Sequence, residues 1–116
     1  MTVSDLHANP AALEAFQADV GRYDRLLCLG DLVTYGPSPG PCIEFVQQAA
    51  FATLRGNHDH ALGYGEEPRC GPQDTEAAKA TLEHHRGLLD AGSVEFLQNL
   101  PLSVSLRLGG QRLFLV

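Results

Sequence analysis

The sequence of 116 residues has little positive charge, no long apolar run and few cysteines. Eight basic against fourteen acidic side chains give a net charge of −6, which argues against the basic face of a strong nucleic-acid surface. No apolar run approaches the roughly 18 residues of a membrane span, and no basic segment followed by an apolar one opens the chain. We therefore expect a cytoplasmic protein that does not associate with membranes.

The three cysteines, Cys28, Cys42 and Cys70, are an odd and widely spaced set with no CxxC pair. This pattern argues against a disulfide framework or a zinc ribbon, so we predict free thiols. A hydrophobic content of 44% and a charged content of 19% are typical of a folded chain. The length fits one domain over residues 1–116. The oligomeric state is left open, a homo-oligomer included.

Strand-like apolar runs alternate with helical stripes along the first half of the chain. Short apolar runs predict three strands, over residues 1–3, 25–29 and 51–54. Apolar residues at helical spacing predict two helices, over residues 10–20 and from Cys42 to Ala49. The stretch 35–41 holds three prolines and two glycines, which predicts a loop. The alternation indicates right-handed βαβ units and a parallel sheet.

The second half of the chain predicts helices and then a strand pair. Glycines and prolines predict an irregular loop over 61–72, and a helical stripe predicts a helix over 75–90. Ser93 is expected to cap a short last helix that ends before Pro101. Two strand patterns around Gly109 and Gly110 predict a C-terminal hairpin. The predicted class is therefore α/β, a βαβαβ parallel sheet followed by helices and a C-terminal β-hairpin.

A polar cluster follows each of the three predicted strands. The clusters are Asp5-Leu6-His7, Gly30-Asp31 and Gly56-Asn57-His58-Asp59. Loops that follow the carboxyl ends of parallel strands gather at one edge of the sheet, where open α/β sheets bind their ligands. We therefore expect the three clusters to converge in space.

The first two clusters carry the residue types of a metal site. Asp5 and His7 stand at alternate positions, so in extended backbone both side chains point the same way. A carboxylate oxygen and an imidazole nitrogen suit Mn²⁺, Fe²⁺, Zn²⁺, Co²⁺ or Ni²⁺ better than Ca²⁺. Asp31, directly after a buried strand and a glycine, is placed to bridge two ions, with a turn cap as the alternative.

The third cluster carries the residue types of both a metal ligand and a proton donor. Asn57 can offer a neutral carbonyl oxygen to a metal ion. His58 can donate a proton to a leaving oxygen or stabilise charge on a phosphoryl group. Asp59 can hold the imidazole of His58 in one tautomer. A plain polar turn is the alternative interpretation.

The three clusters, in this order and spacing, resemble the D-x-H, G-D and G-N-H-D/E motifs of the calcineurin-like metallophosphoesterase superfamily. The flanking residues look like its compact bacterial and archaeal phosphodiesterase branch. The resemblance implies hydrolysis of a small phosphorylated substrate, a phosphomonoester or phosphodiester. It also implies two divalent metal ions, with Mn²⁺ as the first choice, and a bridging hydroxide that attacks phosphorus.

The same resemblance implies a role for each site residue. Asp5 and His7 would hold the first ion, Asp31 would bridge both ions and Asn57 would bind the second. His58 would lie near the leaving group as a catalytic residue, with Asp59 as its partner.

The family's later histidine motifs, a His-Gly turn and a G-H-x-H turn, do not occur before Val116. We therefore expect a partial metallophosphoesterase fold, an incomplete ligand shell and an impaired activity. His84 and His85 do not replace the missing ligands, because adjacent helical residues lie about 100° apart. We predict that these two histidines lie at the surface or are partly packed against neighbouring residues.

Two other functions fit parts of the pattern. A non-catalytic interaction module that keeps the fold would explain the missing histidines, but it has no need for the intact polar set. A flavodoxin-like receiver domain with Mg²⁺ would explain Asp5 and Asp31, but it leaves His7 and the Asn57-His58 pair without a role.

Overall fold

The computed structural model describes the whole chain, Met1 to Val116, as a strand–helix alternation followed by three helices and a strand pair. The strands are β1 (Thr2–Val3), β2 (Leu27–Cys28), β3 (Ala52–Thr53), β4 (Val104–Leu108) and β5 (Gln111–Leu115). The helices are α1 (Pro10–Asp19), α2 (Pro39–Ala49), α3 (Asn57–Tyr64), α4 (Thr75–Leu88) and α5 (Ala91–Asn99).

The first three strands form a parallel sheet in the order β1-β2-β3, which confirms the predicted α/β class. Each of these strands is shorter than its apolar run predicted, with two residues in regular pairing. Backbone hydrogen bonds nevertheless extend past β2 and β3. Leu29 N donates to Val3 O at 2.9 Å, and Leu54 N donates to Cys28 O at 2.8 Å. The carboxyl ends of the strands are thus aligned at one edge.

The first helix begins as predicted and the second begins earlier than predicted. Asn9 caps α1, because its Oδ1 accepts a hydrogen bond from Ala12 N at 3.1 Å. Helix α2 begins at Pro39, inside the stretch predicted to be a loop. The prediction was wrong there because the first amides of a helix have no intrahelical partner, so Pro39 and Pro41 remove no helical bond.

The third cluster lies in a helix and not in a loop. Asn57 is the first residue of α3, which continues to Tyr64 and therefore covers the start of the predicted loop. This part of the prediction was wrong because burial decides the conformation. Ala61 and Leu62 enter the core and offset the low helix propensity of the glycines nearby.

The last two helices also differ from the prediction in their ends. Helix α4 ends at Leu88, so that Asp90 is left to cap α5. Ser93, the predicted cap, is instead the residue whose backbone N donates to Asp90 Oδ1 at 2.7 Å. Asp90 therefore supplies the capping oxygen that was expected from Ser93. Helix α5 ends at Asn99, before Pro101 as expected.

The predicted hairpin is confirmed as an antiparallel pair of β4 and β5, in a sheet separate from β1-β2-β3. The main core lies between the parallel sheet and the helices and contains no hairpin residue. Its buried members are Leu6, Leu13, Cys28, Leu32, Val33, Cys42, Ile43, Val46, Ala61, Leu62, Leu82, Leu97 and Leu100. None of the five helices has the length and hydropathy that a membrane crossing requires.

Candidate metal centre

The first two clusters are joined through their backbones at the carboxyl edge of the sheet. Asp5 N donates to Gly30 O at 3.1 Å, and His7 N donates to Asp31 O at 3.0 Å. These bonds satisfy backbone groups that regular strand pairing no longer reaches. They fix the position of one loop against the other, so the expected convergence of these clusters is observed.

The same two loops hold all the left-handed non-glycine residues of the chain. Six residues have φ between 44° and 70°: Asp5, His7, Ala8, Asp31, Thr34 and Tyr35. Each left-handed L-residue costs about 1 kcal/mol or more. Such conformations cluster at functional sites and persist where the surrounding structure holds them in place.

The carboxylate of Asp59 ties the third cluster to the second. Its oxygens accept hydrogen bonds from Asp31 N and Leu32 N, both at 2.8 Å, and from Gly56 N at 3.0 Å. Burial raises the pKa of this carboxyl to about 6, against the opposing effect of the three amides. The predicted contact with His58 is corrected by this geometry, because backbone amides occupy both oxygens of Asp59. Its observed role is to anchor the loop.

Two glycines permit the close approach of the second and third clusters. A Cβ atom on Gly56 would collide with the carboxylate of Asp31, and a Cβ on Gly30 would collide with the backbone of Gly56. The carboxylate of Asp31 therefore reaches the N-terminus of α3, where its Oδ1 accepts a hydrogen bond from His58 N at 3.0 Å. An acidic side chain at the N-terminus of a helix is a stabilising arrangement.

Asp5, His7 and Asp31 form a group whose candidate ligand atoms all lie within 4.8 Å of one another. Nδ1 of His7 lies 2.9 Å from Val33 O. Because a carbonyl can only accept, Nδ1 carries the hydrogen and Nε2 is available as a metal ligand. Asp5 Oδ1 lies 3.5 Å from this Nε2. Two carboxylates and one imidazole suit a borderline divalent cation. The residues present therefore fit a metal ion.

Asn57 is the first residue of α3 and precedes His58, whose backbone N donates to Asp31 Oδ1; its own carbonyl oxygen is unengaged. Its Nδ2 donates to Arg69 O at 2.8 Å, and no protein group donates to its Oδ1. With Nδ2 bonded to Arg69, Oδ1 of Asn57 points away from Arg69, and Oδ1 is the atom that a metal ion would bind. Asn57 also borders a cavity of about 300 Å³, lined by Arg55, Gly56, Asn57, His60, Glu66, Glu67, Arg69 and Leu102.

His58 is the second residue of α3 and is buried beside the first cluster. Its ring centroid is 5.0 Å from that of His7 and 5.1 Å from that of Tyr35. Burial lowers the pKa of His58, which favours the neutral imidazole. Its Nδ1 lies 2.8 Å from Thr34 Oγ1. Thr34, and not Asp59, is therefore the side chain that orients His58.

Thr34 and His85 are the two residues of this region that sequence reasoning missed. Both are fully buried, whereas we expected His85 at the surface or in partial packing. His85 shares one face of α4 with Ala78 and Leu82. A histidine within an apolar stripe was a usable signal, since buried polar groups need hydrogen-bond partners. Nothing in the sequence marked Thr34. His84, in contrast, is exposed as predicted.

A family model described as calcineurin-like phosphoesterase matches residues 1–116. The chain belongs to the calcineurin-like phosphoesterase family. The resemblance inferred from the three clusters is thereby confirmed. The three-residue group of possible ligands is in keeping with a family of metal-dependent phosphoesterases.

Several proteins are similar to this family member. The uncharacterized protein MJ0912 of Methanocaldococcus jannaschii is 27% identical over 112 residues, which cover 95% of this chain and 45% of that protein. The crystal structure of a metallophosphoesterase from Sphaerobacter thermophilus matches with a TM-score of 0.69 and 36% identity, over 89% of this chain and 41% of that chain.

The structure of the hypothetical protein PH1004 from Pyrococcus horikoshii OT3 has the same fold, with a TM-score of 0.69 at 23% identity. That match covers 97% of this chain and 52% of the other. The chain thus spans about half the length of the relatives it matches, or somewhat less.

Proposed function

We propose that this chain is the part of a metal-dependent phosphoesterase that carries Asp5, His7 and Asp31, and that it hydrolyses phosphomonoesters or phosphodiesters. The observation that carries the proposal is the approach of these three side chains to within 4.8 Å in a member of the calcineurin-like phosphoesterase family. The contact of His7 Nδ1 with Val33 O supports the assignment, because it leaves Nε2 as the ring nitrogen that can face a metal ion.

The proposal assigns two divalent ions, with Mn²⁺ as the first choice. Asp5 and His7 would hold one ion, Asp31 both and Asn57 the second. Bound ions of this kind supply an activated water nucleophile and neutralise charge on phosphoryl oxygens. His58 would act at the leaving oxygen, and its lowered pKa favours the neutral ring. Asp59 anchors the loop that carries Asp31.

The remaining proposals concern substrate, location and rate. We propose a small phosphorylated substrate, since the net charge of −6 does not favour a polyanion. The three free cysteines support a reducing, cytoplasmic location. Four protein ligands are few for two ions, so we propose an impaired activity for these 116 residues.

The test is hydrolysis of an aryl phosphodiester with added Mn²⁺ by the wild type and by Asp31→Ala and His58→Ala. We expect each substitution to lower the rate by about 100-fold, the lower range for loss of an acid–base or charge-stabilising group. Asp19→Ala, at the exposed end of α1, is the matched control and should keep the wild-type rate. Equal rates in all four proteins would contradict the proposed function.

The second candidate function is a non-catalytic interaction module that keeps the fold. A calorimetric titration with Mn²⁺ separates the two candidates, because a pure interaction module should bind no divalent ion tightly.

A further inference from the structure

The segment Thr34–Gly36, called here the left-handed segment after its first two residues, contacts the candidate metal centre, since the ring centroid of Tyr35 lies 4.8 Å from that of His7. Thr34 has a φ of 70° and Tyr35 a φ of 60°. Two successive left-handed residues with bulky side chains are unfavourable by themselves. Some other part of the protein must therefore hold this segment in place.

His85 of α4 holds the left-handed segment at both ends. Thr34 N donates to Nδ1 of His85 at 3.1 Å, and Nε2 of His85 lies 2.8 Å from Gly36 O. An amide can only donate and a carbonyl can only accept, so Nδ1 is unprotonated and Nε2 carries the hydrogen. One neutral ring thus satisfies two backbone groups that are two residues apart.

Thr81, one turn earlier on α4, completes the attachment. Its Oγ1 accepts a hydrogen bond from Tyr35 N at 2.9 Å. Helix α4 therefore contacts the backbone of all three residues of the left-handed segment. Regular structure supplies no partners for these groups, and without His85 the amide of Thr34 would be buried and unpaired.

The consequence reaches the centre through the side chain of Thr34. Its hydroxyl lies 2.8 Å from Nδ1 of His58 and 3.4 Å from Nδ1 of His7. A change in the backbone at Thr34 would move this hydroxyl away from both imidazoles. The contact with His58 therefore depends on the conformation that α4 imposes.

We infer that His85 is a positioning residue of the candidate metal centre: it holds the left-handed segment so that the hydroxyl of Thr34 stays hydrogen-bonded to His58. This role of His85 rests on the proposed function, whereas the hydrogen bonds that connect His85 to His58 do not depend on it. His85 touches no candidate metal ligand and acts through the segment that it holds, in which Thr34 contacts His58 and Gly36 N donates to His7 O at 2.9 Å. A role in packing alone would be filled equally well by leucine, the residue at position 82 on the same face.

The first experiment compares the wild type with His85→Leu, His85→Gln and His84→Leu by NMR, without metal or substrate. The readouts are the ring nitrogen shifts of His58 and the hydrogen exchange of the Thr34 amide. In His85→Leu we expect the Nδ1 signal of His58 to shift and the Thr34 amide to exchange about tenfold faster. The amide of Leu32, which is bonded to Asp59, is the internal control and should not change.

The amide side chain of His85→Gln offers one acceptor and one donor, and should restore part of both readouts. His84→Leu alters the exposed neighbour and should leave both unchanged. The inference is overturned if His58 and Thr34 report the wild-type values in His85→Leu. It is also overturned if glutamine and leucine at position 85 give the same shifts. If His85→Leu does not fold, the comparison of His85→Gln with the wild type decides.

A second pair of variants tests the last contact. Thr34→Ala removes the hydroxyl and should reproduce the shift of the His58 ring signal, whereas Thr34→Ser keeps it and should not. Identical His58 signals in both variants would refute the relay through Thr34. Phosphodiester hydrolysis is measured separately on the same proteins. An inactive chain with the expected NMR changes rejects the proposed function alone, and an active chain without them rejects this inference alone.

Discussion

The loop edge of the parallel sheet and the C-terminal hairpin satisfy their backbones in opposite ways. The loop edge, residues 5–8, 30–36 and 56–59, contains all six left-handed non-glycine residues. The hairpin contains left-handed residues only at Gly109 and Gly110, where a tight turn requires them. Its five residue pairs run from Val104–Leu115 to Leu108–Gln111 in regular register.

The loop edge is also more buried than the hairpin. Asp59 and Thr34 at the loop edge are fully buried polar residues with hydrogen-bond partners. The hairpin has no buried residue, and Phe114 is 65% exposed. The hairpin is therefore held by contacts between neighbours in the chain. The loop edge is held by contacts between distant residues, which keep a strained backbone in the shape that brings three acidic or imidazole side chains together.

The largest expected effect comes from adding one methyl group to a glycine in each region. Gly30→Ala meets the backbone of Gly56 and has a φ of 101°, so we expect a loss of about 3 to 5 kcal/mol in the free energy of unfolding. Gly110→Ala has a φ of 79° but open space around its Cβ, so about 1 kcal/mol is expected. Urea denaturation measures both. Equal losses of unfolding free energy in the two variants would contradict the expected difference between the loop edge and the hairpin.

The next effect concerns metal affinity. Asp31→Asn keeps the shape of the side chain and its bond from His58 N, but it removes the negative charge. We expect the affinity for Mn²⁺ to fall by about 100-fold, since a neutral amide oxygen attracts a divalent cation less than a carboxylate does. Isothermal titration calorimetry measures the affinity. Asp19→Asn, at an exposed site outside the loop edge, is the control. If both variants bind like the wild type, Asp31 is no ligand.

The smallest effect is a pH dependence that His85 gives to the loop edge. Burial lowers the pKa of folded His85 below the ordinary value of 6.5. Below that pH the unfolded chain binds more protons at this residue than the folded chain, so its contribution to stability falls as the pH falls. The stability advantage of the wild type over His85→Gln should shrink between about pH 8 and about pH 5. A constant difference across this range would contradict a buried neutral imidazole.

Much of the fold could be predicted because its signals are local. Helical stripes, the Asn9 cap and the two glycines of the hairpin turn depend on neighbours a few residues apart. The errors arose where tertiary burial overrides such signals. Helix α3 forms through a glycine-containing segment because Ala61 and Leu62 enter the core. Helix α2 begins on prolines, which the first turn of a helix tolerates.

The candidate site shows the same division. The spacing of polar residues after three strands was sufficient to predict that Asp5, His7 and Asp31 would meet. The roles of the supporting residues were not predictable, because they depend on contacts between distant positions. Asp59 bonds to amides 27 and 28 residues away, and Thr34 bonds to His85 across 51 residues.

By itself, the sequence determined the family, the alternation of strands and helices, and the residue types that converge at one sheet edge. Local periodicity and parallel topology are sufficient for these conclusions. Only the tertiary structure decided which partner orients His58, which residue Asp59 anchors and how the left-handed segment is held. The physical reason is that each of these roles is a hydrogen bond of buried groups, and burial is a property of the packed chain.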